Sequence, residues 1–211
     1  MTPRSTLSRD LTSFAGRPLA IPIEDDWVSV AEAGEELGLT HSLTAQLMAS
    51  ELVADFADTP GPHVIRSGGR LLMPRRDLQL LADRQPVTGE PDRFINVRVG
   101  PGTIDTPPIE GRTYLGFHSS YTPAQRSLAT TRWWSFSEEE AWIGHPFVAS
   151  LAGFVVLCGR IAGTRATRAT QGGRRLVAFD VDETDPLVDA AFTGRRIPVF
   201  PGGPALKVGS V

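Results

Sequence analysis

Between Trp27 and Ser50 the chain is punctuated twice at a spacing that leaves room for only one local architecture. Ser29 with Glu32 three residues later is a capping-box pair. The hydroxyl accepts from the amide at the third helical position, and the carboxylate returns to the amide of the cap. Val30, Ala33 and Leu37 then fall on one helical face, and Gly38 supplies the left-handed stop. Thr40 restarts a helix over about Ser42 to Ser50, with Leu43 and Leu47 toward a core. Two short helices joined at Gly38-Leu39-Thr40 must pack against each other and against the segment C-terminal to them.

That segment is a hairpin and a third helix. "HVIRSGGRLLMP" reads as two short strands joined at Ser67-Gly68-Gly69, whose glycines supply positive φ for a tight turn. Pro74 opens the helix "PRRDLQLLADR", with Leu78 and Leu81 on its buried side. "QPVTGEPDR" is rich in turn residues and marks a boundary.

From Phe94 the pattern turns to strands: "RFINVRV", "RTYLGFH", "FVASLAGFVVLCGRI", "RRLVAFDV" and "RRIPVF". The third is folded about Ala152-Gly153. Three short helices fit between them: "TPAQRSLA" with Thr122 as cap, "SEEEAW" with a Ser137/Glu140 box, and "DPLVDAAFTG" closing on Gly194. The expected fold class is α+β, an N-terminal unit of two helices, a hairpin and a third helix followed by a strand-rich α+β domain. The divisions are a flexible arm at 1–25, that helical unit at 26–85, a linker at 86–93 and the α+β domain at 94–211.

Residues 27–84 resemble the excisionase-type, MerR-like winged helix-turn-helix. "VAEAGEELGL" matches the family's first helix, and "LLMPRRDLQLL" its exit from the wing into a proline-led helix that begins in a basic pair. The match covers a little over a quarter of the chain. It departs from the family at Ser50-Glu51-Leu52, which lacks the usual glycine before "EL", and in the long loop from Ala54 to Pro62. Residues 94–211 resemble no family we recognise. The resemblance implies binding to double-stranded DNA, with the second helix in the major groove and the wing beside it. It implies a role in regulating transcription or a mobile element. The C-terminal domain would then supply dimerisation, as a homodimer, or effector sensing.

The residues of that second helix carry no lysine or arginine. Projected as a helix, its outward stripe is His41, Ser42, Ala45 and Ala49, flanked by Thr44 and Gln46. Gln46 suits adenine and the alanines suit thymine methyls. Phosphate contacts must come from elsewhere, because no arginine or lysine occurs between Arg17 and Arg66. Arg66 and Arg70 in the wing, with Arg75 and Arg76 beyond it, are the candidates. Charge distribution sharpens the problem: residues 1–93 hold nine arginines against fourteen acids, and 94–211 hold eleven arginines and one lysine against ten acids. Glu32, Glu35 and Glu36 point outward from the first helix and form a possible surface for a protein partner. A protein-docking module is therefore the alternative function, and an enzyme acting on nucleic acid or a nucleotide a third.

Other candidates lie in the second half. Arg160, Arg165, Arg168, Arg174 and Arg175 fall in an acid-free segment, read as a hairpin loop that could grip phosphate or stand solvated. His118, Ser119, Ser120 and Tyr121 cluster at a strand end, but neighbours on a strand point to opposite faces, so His118 and Ser119 pair poorly. Trp133, Trp134 and Trp142 suit a stacking pocket or a core, and Cys158 a buried small hydrophobe. The single cysteine excludes an intrachain disulfide. The four histidines, His41, His63, His118 and His145, are scattered without zinc spacing. "VGPGTID" and "FPGGPAL" lack the phosphate-loop pattern. No metal or cofactor is expected. The first twenty residues lack a continuous apolar signal core, and the run around Phe147 to Cys158 is too short to span a bilayer, so the expected location is cytoplasmic.

Overall fold

A computed structural model describes residues 26–88, 91, 93–109, 112–136, 138–170, 172–199 and 204–209. The expected arm at 1–25 and the Ser137 cap lie outside the described residues. The fold is mixed α+β.

Strand β1 (Trp27–Ser29) leads into helix α1 (Val30–Leu37) through the expected capping box. Ser29 Oγ accepts from the Glu32 amide, and the Ser29 amide donates to the Glu32 carboxylate at 2.7 Å. Gly38 ends the helix at φ 67°, and Thr40 caps helix α2 (His41–Ala49) by accepting from the Leu43 amide. One turn of 3-10 helix comes next, over Leu52–Asp55. Strands β2 (Ile65–Ser67) and β3 (Arg70–Pro74) form the hairpin, turning at Gly68 and Gly69 with φ of 56° and 79°. β3 lies between β1 and β2 in an antiparallel three-stranded sheet, and helix α3 (Arg75–Ala82) leaves from Pro74.

α1 and α2 cross closely because Gly34 has no side chain. A Cβ there would meet Thr44 Oγ1 at 2.9 Å and the Leu39 carbonyl oxygen at 3.1 Å. Val28, Ala33, Leu37, Leu47, Met48, Leu78 and Leu81 close the core beneath them.

The second half comprises β4 (Phe94–Arg98), β5 (Thr103–Ile109), β6 (Arg112–Leu115), α4 (Pro123–Thr131), β7 (Arg132–Ser135), a 3-10 turn (Glu139–Trp142), β8 (Pro146–Leu151), β9 (Phe154–Ala169), β10 (Arg175–Asp182), α5 (Pro186–Phe192) and β11 (Ala205–Val208). Six strands form one sheet in the order β11-β4-β8-β9-β10-β7, antiparallel except for the β4–β8 pair. β5 and β6 make a separate two-stranded ribbon, tied by a buried Arg112–Asp105 ion pair at 2.9 Å. Ala152 and Gly153 turn β8 into β9 with φ of 51° and 88°, where the sequence places the fold-back.

Two expectations are corrected. The arginine-rich segment is not a hairpin loop: β9 runs through Arg160, Arg165 and Arg168 to Ala169 and pairs with β10 along most of that length. "RRIPVF" is not a strand over its described residues. Arg196 makes only isolated bridges, one to Pro86 and one to Phe154.

The two halves share one apolar core, in which Leu37, Leu47 and Val53 belong to the same cluster as Ile95, Val97, Leu151 and Phe154. Polar ties cross the same seam. The Ser119 amide donates to the Ser50 carbonyl at 3.0 Å, Arg196 donates to the Leu37 carbonyl at 3.0 Å, and Arg126 pairs with Asp55 at 2.7 Å. The start of the expected linker is held as well, the Val87 amide donating to the Arg196 carbonyl at 2.7 Å.

Candidate nucleic-acid interface

α2 presents three different sides. His41 and Ser42 are exposed and Ala45 half-exposed, as the outward stripe requires. Thr44, expected beside that stripe, is buried at 0% exposure, and its hydroxyl donates to the Thr40 carbonyl at 3.0 Å. The notch at Gly34 takes it in, so Thr44 is not available for the base contact expected of it. Gln46 is half-buried and lines a cleft between α2 and the large sheet, together with Asn96 and Arg98.

The outward side of α2 meets the hairpin across a groove of about 440 Å³. His41 and Ala45 stand on one wall and Arg66, Gly69 and Arg70 on the other. Arg66 and Arg70 are exposed, and neither has an ion-pair partner among the described residues. The tight β2–β3 turn is what brings both guanidinium-bearing side chains to that rim.

Arg75 and Arg76 differ from them. The β1–β3 register sets Trp27 against Pro74, so Asp26 and Arg75 extend side by side. Arg75 Nε donates to Asp26 at 2.6 Å and its Nη1 to Glu36 at 3.2 Å, and the Asp26 bond leads in raising its pKa. Arg76 lies 3.6 Å from Asp77, a buried carboxylate that pairs with His63 Nδ1 at 2.9 Å. These pairs also thin out the acidic face of α1. Glu32 is drawn into the cap, where the Ser29 amide bond is the main cause of its lowered pKa, and Glu36 is matched by Arg75. Glu35 is exposed, and its carboxylate has no partner among the described residues.

The arginines of the second half are mostly engaged. Arg160 bonds to Asp185 and to the Gly144 carbonyl, Arg175 pairs with Glu139, and Arg168 lies over the Trp133 ring, 5.4 Å from its centroid. Arg165 and Arg174 are exposed, with no ion pair among the described residues. His118 meets Ser120 and not Ser119: its Nδ1 faces Ser120 Oγ at 2.9 Å and accepts from the Ser120 amide at 3.2 Å, a local turn motif. Trp142 is buried in the core and Trp134 Nε1 donates to the Thr130 carbonyl, which leaves no aromatic cage among the described residues. Cys158 Sγ faces Thr193 Oγ1 at 3.3 Å, and burial pushes its thiol pKa up. Among the described residues no three His, Cys, Asp or Glu side chains converge on a metal position, and no helix is long and apolar enough to cross a membrane.

No protein-family model, no curated protein and no solved structure matches this chain.

Proposed function

We propose that residues 26–85 act as a winged helix-turn-helix that binds double-stranded DNA, with α2 in the major groove and the β2–β3 hairpin along the adjacent backbone. One observation carries this reading: the neutral outward face of α2 and the unpaired Arg66 and Arg70 border the same groove. Neutral side chains at base edges and cations at the flank are the division of labour that groove reading requires. Arg75 and Arg76 are already committed to carboxylates and add less. Two cations per protomer make a weak electrostatic grip, so the active species is a homodimer in which a second copy doubles the phosphate contacts. The second half fits the role of a regulatory or dimerising unit in control of transcription or of a mobile element.

The protein-docking alternative loses support from the ion pairs. Of Glu32, Glu35 and Glu36, only Glu35 keeps an uncommitted carboxylate. Among the described residues the enzyme alternative finds only the local His118–Ser120 turn.

Fluorescence anisotropy on a random duplex, titrated at about 50 and about 200 mM salt, tests the proposal. The Arg66→Ala/Arg70→Ala variant should flatten the salt dependence by about 0.9 log unit per lost contact. Duplex binding with an unchanged slope would move the contact away from the wing, and no binding at the lower salt would refute the reading.

A further inference from the structure

The cleft on the opposite side of α2 has the makings of a ligand site. Alternation along β4 sets Phe94, Asn96 and Arg98 on one face of the sheet. Phe94 is covered by Phe192 of α5, with ring centroids 5.0 Å apart. Asn96 and Arg98 instead border a cleft of about 350 Å³, with Leu43 and Gln46 of α2 as its other wall. This volume lies within the range of roughly 300–1,000 Å³ typical of small-molecule sites.

Two buried polar side chains shape the floor. Asn96 is 1% exposed and Ser150 2% exposed, and Ser150 Oγ donates to Asn96 Oδ1 at 2.9 Å. That bond uses the hydroxyl proton and part of the carbonyl's capacity. The Asn96 amide nitrogen has no acceptor among the described residues and is left open to the cleft. Gln46 adds a second carboxamide and Arg98 a positive charge, while no carboxylate among the described residues lines the cleft. Val99, Ala152, Pro198 and Val199 make the remaining surface apolar.

We infer that this cleft binds a small organic carboxylate with an apolar body. The carboxylate accepts from Asn96 Nδ2 and Gln46 within the field of Arg98, and the body fills the apolar walls. A bare phosphate or sulfate would leave those walls unfilled, and an ammonium would meet donors and a like charge. The site stands independently of DNA binding.

Ligand-observed saturation-transfer NMR on the full chain, without DNA, tests it using benzoate, phenylacetate and hexanoate as probes and benzylamine as the cationic control. At least one acid should receive saturation, and benzylamine none at the same concentration. Gln46→Leu and Arg98→Gln should each weaken the bound acid at least about tenfold, whereas Ser42→Ala, on the outward side of α2, should leave it unchanged. The assignment is overturned if no acid binds at millimolar concentration, if benzylamine binds as well as the acids, or if either cleft variant retains the parent affinity. Comparing acids with amine on the parent protein decides the matter even where a variant folds poorly.

Discussion

Gly34→Ala isolates the contact that sets the angle between α1 and α2. In an open helix the change would stabilise by about 0.8–1 kcal/mol, because alanine has the higher helix propensity. Here the added methyl would lie 2.9 Å from Thr44 Oγ1 and 3.1 Å from the Leu39 carbonyl, where ordinary contact begins near 3.4 Å. Thr44 is fully buried and bonded to Thr40, and the Leu39 carbonyl is backbone, so neither neighbour can swing away. Overpacking of this kind costs about 1–3 kcal/mol. Less the propensity gain, the net loss should reach up to about 2 kcal/mol, which at a urea slope of about 2 kcal/mol per molar lowers the midpoint by up to about 1 M. Urea titration followed by circular dichroism measures it. Thr44→Ala removes the nearer clash, so Gly34→Ala should cost less in that background, with a coupling of at least about 0.5 kcal/mol in the double-mutant cycle. A stabilised single variant, or additive effects of the two substitutions, would refute the close-packing argument.

Glu36→Gln should tighten duplex binding at low salt by about two- to fivefold and more than Glu35→Gln does, since it also releases one of the two carboxylates held by Arg75; equal effects in the anisotropy titration would mean that Arg75 does not face DNA. Asp77→Ala should destabilise by about 1–3 kcal/mol in urea titration, because it strips the half-buried His63 of its partner; a loss below about 0.5 kcal/mol would show that the pair contributes little. Asp185 caps α5 by accepting from the Leu187 and Val188 amides, and its bond from Arg160 comes first among the causes that hold its pKa below the usual carboxylate range. Its contribution to stability is therefore complete above the unfolded carboxylate pKa of about 3.9 and lost as the pH falls through the lower folded value. Asp185→Asn should flatten the acid limb of a stability–pH profile, and an acid limb identical to the parent's would contradict the assignment.

The parts of this fold that can be read from the sequence are those fixed within a few residues. Ser29 and Glu32, Gly38, the Gly68-Gly69 turn and the Ala152-Gly153 turn each carry their own geometry, and the structure puts them where the sequence does. Thr44 escapes such a reading because a helical projection gives an angle but not what lies opposite, and the notch that receives it is made by Gly34 on another helix. The partners of Arg75 are hidden for a similar reason: Asp26 reaches it only through strand pairing across the 49-residue separation. "TIDTPPI" and "RWWS" give weak strand signals, the first because of its two prolines, and they become strands by pairing, β5 with the adjacent β6 and β7 with the distant β10. The stretch around Arg165 and Arg168 resembles a loop because small residues and arginines there bury little. β10 makes it a strand by hydrogen bonding along it. The Asn96–Ser150 floor, 54 residues apart in sequence, gives no local sign at all.

α2 leaves little room for drift. Thr44, Leu47 and Met48 are locked into the core, and Leu43 and Gln46 face the cleft, so of its nine residues only His41, Ser42, Ala45 and Ala49 can change without altering another surface. Under the proposed DNA-reading role, a lineage that acquired a new target would have to do so through those four positions and the hairpin tip. Proteins diverging from a common ancestor should therefore differ most at these sites and least at the inner ones, a pattern that can be scored when related sequences are compared.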